Sequence, residues 1–256
     1  MRWFDVGEIG GSGSAKEQTI GYFKSGFSSR REMSVIWTLP IGKPQTHTPP
    51  TALQQAHRDW DKSRVGSFPT SAETERLIIR PLCEDDITDA YLDWFRDGEV
   101  TKYLEASHIT RQESIDFFRL GVSTAKYRVY AVCIQANCEH IGNMKLGPVD
   151  AVNGVTDLTI VIGARSHWGK GYGCEAIRCG IGMAFDKMGL RKIAAGIYAD
   201  NVGSLNAYAR AGFVPEAVRH ASGIRDGKAC DSILVSCFNP AFFENLPPFP
   251  KPFSVT

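Results

Sequence analysis

Apolar residues fall into two textures along the chain. From about residue 73 they recur with the periods of secondary structure, and before it they do not. Segment 75–82, ERLIIRPL, is a short apolar run closed by a proline, as expected of a strand. CEDDITDAYLDWFRD comes next. Its first acidic residues suit the positive end of a helix dipole, and Ile87, Tyr91 and Trp94 or Phe95 recur at helical spacing. Thr110 and Glu113 have capping-box spacing, which predicts a second helix running from Thr110 towards Ser123. Segments 127–135 and 140–149 read as two strands of a hairpin, and 155–163 as a third strand behind the turn signal Asn153-Gly154. Ile177, Ile181, Ala184, Phe185 and Met188 share one helical face, with Gly189 at the C-cap. A strand at 191–199 precedes a short helix that Asn201 can cap and Gly212 can close. Strands at 213–220 and 229–237 complete the pattern.

The first 72 residues read as a poorly structured extension, because GEIGGSGSAKE, SGFSSRRE and LPIGKPQTHTPPT are Gly, Ser and Pro clusters between short mixed runs. Segment 34–41 is one strand candidate there, and 52–65 a short helix candidate. The organisation expected is therefore an extension (1–72), a folded domain (73–238) and a Pro- and aromatic-rich tail (239–256). The tail is extended or polyproline-like and either free, covering an edge strand, or exchanged between subunits.

Composition narrows the function classes. Hydrophobic residues at 43% and charged residues at 22% exclude wholesale disorder. A net charge of +1 argues against a nucleic-acid binder and leaves no excess charge for an anionic membrane surface. No apolar run is long enough to span a membrane, and the amino terminus lacks the apolar core of a secretory signal. The seven cysteines are scattered without a C-x-x-C pair, which fits free thiols in a reducing cytoplasm and neither a disulfide framework nor a structural metal site.

Between the strand at 155–163 and the next helix lies ARSHWGKGYG. A strand, a glycine loop and a helix in that order gather unsatisfied N–H groups at a helix amino terminus, a setting for phosphate oxygens. The nucleotide P-loop is excluded by spacing. Five residues separate Gly163 from Gly169 where four are needed, and Gly171 stands where a metal-binding hydroxyl belongs. The dinucleotide fingerprint fails at Cys174, where its third glycine should be, and the loop comes after hairpin strands instead of the first strand of a parallel unit.

Trp168-Gly169-Lys170-Gly171-Tyr172-Gly173 resembles the acyl-CoA loop of the GNAT acetyltransferase superfamily, Arg/Gln-x-x-Gly-x-Gly/Ala. It matches at Gly171 and Gly173 and departs at Trp168. With Glu175-Ala176 after it, the loop is similar to the branch containing ribosomal-protein alanine acetyltransferases and related small-amine and amino-sugar acetyltransferases. A second, independent stretch, Asn201-Val-Gly-Ser204-Leu-Asn-Ala-Tyr208-Ala-Arg-Ala-Gly212-Phe213, resembles the superfamily's later motif. The resemblance implies an α/β (α+β) fold, with a mixed, mostly antiparallel central sheet flanked by about four helices. It also implies an N-acetyltransferase with acetyl-CoA as co-substrate, no metal and a possible homodimer.

The same resemblance implies roles for individual residues. Backbone near Ile160, Val161 and Ile162 would pair with pantetheine and offer an oxyanion donor. The loop of Trp168, Gly169, Gly171, Tyr172 and Gly173 would admit the diphosphate, and Lys170 would contact it. Asn201 and Ser204 would line the pantetheine, and Tyr208 would protonate the leaving thiolate. An ammonium cannot attack a carbonyl, so a base is needed, for which Asp157, Glu105 and His108 are candidates. Each has a plainer reading as a solvated strand residue, a helix-end charge or a loop histidine. Cys174 reads as packing. Asp97, Glu99, Tyr103, Glu105 and His108 give the region 94–110 an acidic, aromatic character suited to a cationic amine or a stacked sugar. The resemblance implies an amino sugar, often nucleotide-linked, or another small amine as acceptor; a peptide α-amine is the rival, and a non-catalytic acyl-CoA-binding protein the alternative of another class.

Overall fold

A computed structural model of the chain describes residues 61–225 and 227–243, together with the strands at 19–23 and 34–38. The chain divides into two units, 1–49 and 50–256. In the first, β1 (Thr19–Phe23) pairs antiparallel with β2 (Ser34–Thr38), and β2 is the strand expected at 34–41. The helix expected at 52–65 lies outside the described residues as far as 60. Its described end is a single turn, Lys62–Arg64, capped by Asp61.

The second unit is built on an eight-stranded sheet in the order β3-β4-β5-β6-β7-β8-β10-β9. The strands are β3 (Ala72–Glu73), β4 (Leu77–Pro81), β5 (Arg128–Ile134), β6 (His140–Asp150), β7 (Val155–Ile162), β8 (Lys192–Tyr198), β9 (Val214–Arg225) and β10 (Lys228–Phe238). Every neighbouring pair is antiparallel except β7 and β8. Among the described residues five α-helices flank the sheet: α1 (Asp89–Trp94), α2 (Gly98–Thr101), α3 (Arg111–Thr124), α4 (Tyr172–Gly182, continued by a π-turn, Met183–Lys187) and α5 (Val202–Ala211). The short α2 has no counterpart in the sequence pattern, since four residues carry no readable period. The caps form where the spacing puts them: Thr110 and Glu113 close a capping box on α3, and Asn201 accepts from the Ser204 N–H at the start of α5.

The main core lies between the sheet and helices α4 and α5, and includes Leu77, Tyr130, Met144, Leu158, Ile177 and Ile197. Helix α4 approaches closely because position 180 is glycine: a Cβ there would stand 2.5 Å from Leu158 Cδ1 and 2.7 Å from the Met144 sulfur. Two smaller clusters cover the opposite face, one around Leu82, Ala131 and Phe118, the other around Ile87, Tyr91 and Trp94. Strand β5 is therefore buried on both faces, which explains its unbroken apolar run. Val65, Phe68 and Ala72, upstream of the expected boundary, also pack on the main core. Asn239 and Phe243 at the start of the tail are buried, Asn239 donating its amide to the Leu190 carbonyl; the tail beyond 243 lies outside the described residues.

One irregularity in the sheet positions the functional groups. Strands β7 and β8 pair only at Val155–Lys192, Thr156–Ile193 and Asp157–Ala194, and beyond Asp157 they part. The glycine loop leaves the far end of β7, and α5 starts just beyond the far end of β8.

Candidate active site

After β7 the chain makes one tight turn, Arg165–His167, and enters the glycine loop. Gly169 (φ 74°) and Gly171 (φ 84°) adopt left-handed backbone that a Cβ would strain, and Gly171 is the N-cap residue of α4. Among the described residues, no main-chain N–H from Gly169 to Cys174 has a hydrogen-bond partner. Six successive donors at the positive end of a helix form a concave anion site. Gly173 is helical, and a Cβ there would meet nothing nearer than Ile162 Cγ1 at 3.8 Å, so packing within the chain does not demand this glycine. Trp168, 43% exposed, spends its indole N–H on the Ile162 carbonyl at 2.7 Å.

The loop is held by a residue that the motifs did not single out. Arg76, just before β4, donates to the Lys170 carbonyl (3.0 Å) and to the Glu175 carboxylate (2.7 Å), and its guanidinium lies 4.6 Å from the Tyr172 ring centroid. Glu175 also accepts from the Thr74 hydroxyl (2.6 Å) and the Arg76 N–H (3.0 Å). Burial pushes its carboxyl pKa up, but these donors outweigh burial and hold it below the usual range. Tyr172 thus presents its ring to Arg76, and Glu175, noted in the sequence only as part of a motif, anchors the loop. A depression of about 340 Å³ lined by Glu75, Arg76, Gln135 and Tyr172 lies beside this clamp, on the β4–β5 side and away from the strand gap.

Along the gap, β7 offers an open edge. Leu146, Met144 and Gly142 of β6 face Leu158, Ile160 and Ile162. The carbonyl of Leu158 accepts from the Tyr208 hydroxyl at 2.8 Å, so it points away from β6. The two-residue period of a strand puts the main-chain groups of Ile160 and Ile162 on that same edge. Val161 corrects the expectation made for these three together. By the same period its main-chain groups turn to β6, where it pairs with Asn143, and a Cβ on Gly142 would lie 2.2 Å from its carbonyl oxygen.

Tyr208 reaches this edge from α5, whose caps at Asn201 and Gly212 fix its register. The side chain is buried against Phe213, with ring centroids 4.9 Å apart. Burial drives the phenol pKa upward, the Ile160 N–H opposes that, and the charge of Asp157 adds to it. Tyr208 is consequently a neutral donor across the physiological range. Asp157, at the point where the strands part, lies on the accessible face. Partial desolvation pushes its carboxyl pKa up, and the charge of Lys145 opposes that rise. Asn201 and Ser204 stand at the start of α5, bonded to each other through the cap at 3.1 Å.

Glu105 is exposed, and no hydrogen bond or ion pair links it to Tyr208 or Asp157 among the described residues. His108 has φ 52°, and its N–H closes the 95–108 loop on the Phe95 carbonyl at 2.8 Å. Asp97 caps α2 and pairs with Arg165. Cys174 is half-buried in the first turn of α4, and all seven cysteines are free thiols. Among the described residues no helix is long and apolar enough to cross a membrane.

Residues 76–214 match the Acetyltransferase (GNAT) domain. Among curated proteins, the uncharacterized N-acetyltransferase p20 of Bacillus licheniformis is 25% identical over 167 residues, covering 64% of this chain and 93% of the relative. Among solved structures, the spermidine N-acetyltransferase of Vibrio cholerae in complex with CoA and spermine aligns with a TM-score of 0.61 at 18% identity, over 66% of this chain and 99% of that one. An acetyltransferase (GNAT family) of Bacillus anthracis aligns with a TM-score of 0.58 at 20% identity, over 66% and 98%.

Proposed function

Because the chain belongs to the GNAT acetyltransferase family and is an acetyl-CoA-dependent acyltransferase acting on an amine, we propose that its acceptor is a small primary amine, an amino sugar (free or nucleotide-linked) or a related compound, acetylated by direct attack. One observation carries this reading. A row of six unpartnered amides, 169–174, leads to an open strand edge, and that edge ends at a neutral phenol. An elongated ligand with a diphosphate at one end and an amide-bearing arm at the other fits that sequence of donors and acceptors, as coenzyme A does.

When bound, acetyl-CoA supplies the activated acetyl group. The amides of 169–174 hold the diphosphate, with Lys170 adding charge at the rim. The Ile160 and Ile162 edge orients the arm as a neighbouring strand would, alongside Asn201 and Ser204, and the Ile160 N–H is the donor for charge developing on oxygen. Tyr208 gives its proton to the leaving sulfur, exchanging its bond to Leu158 for that role. Asp157, at the mouth of the gap on the accessible face, takes the proton the amine must lose, directly or through water. The spermine in the Vibrio cholerae structure supports a small-amine acceptor. A peptide α-amine is the second reading, and a protein that binds acyl-CoA without turnover the third.

Free CoA released from acetyl-CoA in the presence of amino sugars, nucleotide-linked amino sugars, polyamines and peptides is the deciding measurement. Release with a small amine and not with peptides is expected. Peptide-only release favours the rival, and calorimetric CoA binding with no release across the panel removes the enzymatic reading. A cytoplasmic location and a homodimer, checked by fractionation and light scattering, complete the proposal.

A further inference from the structure

Segment 97–103 is fastened at its two ends to the two sides of the strand gap. At one end Asp97 accepts the Glu99 N–H (2.9 Å) and pairs with Arg165 (3.2 Å), three residues past the end of β7. Beside it Trp94 packs directly on Gly163, where a Cβ would stand 2.1 Å from the indole. At the other end the Tyr103 hydroxyl donates to the Asp200 carbonyl (3.1 Å), two residues past the end of β8. Arg225, the last residue of β9, binds both carboxylate oxygens of Asp200. It also places its guanidinium 4.9 Å from the Tyr103 ring centroid and 5.7 Å from that of Tyr198. The two tyrosine rings lie 6.3 Å apart. Gly223 leaves room for this stack, since a Cβ there would come within 2.8 Å of the Tyr198 ring.

Residues 97–103 therefore bridge the strand gap on the face of the sheet that carries Asp157, because Tyr198, which the Tyr103 ring meets, shares a face with Ala194, the register partner of Asp157.

We propose that residues 97–103 roof the gap on the acceptor side, and that Arg225, by fastening Tyr103 to Asp200, is a specificity-determining residue that admits compact amines and excludes extended ones. The proposal rests on the acetyl-transfer reading and adds a size rule to it. A planar guanidinium is suited to this fastening because it can grip a carboxylate with two donors and lie on aromatic faces together, which a lysine ammonium cannot reproduce. Removing it leaves that end held by the Tyr103 hydroxyl bond and the contact between the Tyr103 and Tyr198 rings.

The test compares the full chain with Arg225→Met and Arg225→Lys. Turnover of ethanolamine, glucosamine and an alanyl hexapeptide is tracked by CoA release, alongside hydrogen exchange of amides 98–104 and calorimetric CoA affinity. In R225M the peptide-to-ethanolamine ratio of kcat/KM rises at least tenfold, exchange at 98–104 accelerates at least tenfold, and CoA affinity stays within about twofold; R225K falls between. An unchanged ratio, or a parallel fall for every amine, overturns the size rule, and unchanged exchange overturns the roof. Should the wild-type chain bind CoA and acetylate none of the amines, the acetyl-transfer reading fails separately. Exchange at 98–104 then decides alone, acceleration in R225M retaining the roof and no change removing it.

Discussion

On the proposed coenzyme side of the strand gap the groups on offer are main-chain amides within one stretch, 169–174, and one strand edge, 158–162. On the acceptor side they are side chains gathered from distant places: Asp97 with Arg165, Tyr103 with Asp200 and Arg225, Trp94 against Gly163. The first side is set by local backbone, by which residues lack a Cβ and where a helix begins. The second exists only because sheet order brings the ends of β7, β8 and β9 within reach of one short segment. A diphosphate and an amide arm are the same in every reaction that uses the coenzyme, so backbone suffices to hold them. An acceptor differs from enzyme to enzyme, and side chains can vary with it.

The largest expected effect tests the point where the two sides meet. Tyr208→Phe lowers kcat about a hundredfold or more, the scale of a lost general acid, and leaves the KM for acetyl-CoA within about threefold. If kcat is unchanged, the hydroxyl serves only to hold the Leu158 carbonyl. Next comes the tertiary side. Gly163→Ala drives a methyl into the Trp94 indole and lowers unfolding stability by about 2 kcal/mol, the cost of overpacking, read from urea midpoints. An unshifted midpoint would mean that the acceptor-side helices are not seated on this contact.

The local side responds to a smaller change. Gly171→Ala forces a Cβ onto left-handed backbone, and CoA affinity measured by calorimetry drops about tenfold, about 1.4 kcal/mol. Equal affinity would show that the loop's conformation is not what holds the diphosphate. The smallest effect is one of pH. His140 packs against Trp94 with ring centroids 5.0 Å apart, and burial lowers its pKa from 6.5, opposed by bonds to Asn143 and Gly142. A depressed folded-state pKa gives stability that is present above the unfolded value of 6.5 and lost as pH falls below it. The urea midpoint therefore declines from pH 7.5 to 5.5, and His140→Phe flattens that decline; an equal slope in the variant would assign it elsewhere.

How much of this was legible differs between the same two sides. Thr110 with Glu113, Asn201 and Gly212 announced their helix ends, because a cap is a bond between residues two to four positions apart. The glycine loop was legible for the same reason. The clamp of Arg76 on Glu175 was not, since 99 positions separate them and neither residue type is distinctive alone. Nor was helix α2, too short to show a period, or the turning of Val161 towards β6, which depends on the phase of strand pairing. Glu105 and His108 had the right chemistry and a suitable place in the chain, but among the described residues no hydrogen bond or ion pair links them to Tyr208 or Asp157.

The sequence by itself determined the elements, the glycine loop and the family. Each of these is written in short-range spacing, where glycine, caps and alternation act on the backbone directly. Only the tertiary structure decided that β7 and β8 part beyond Asp157, that the Tyr208 phenol meets the open edge, and that 97–103 spans the space between. Those are relations among strand ends far apart in the chain, fixed by how the sheet is ordered and packed, and no local preference encodes them.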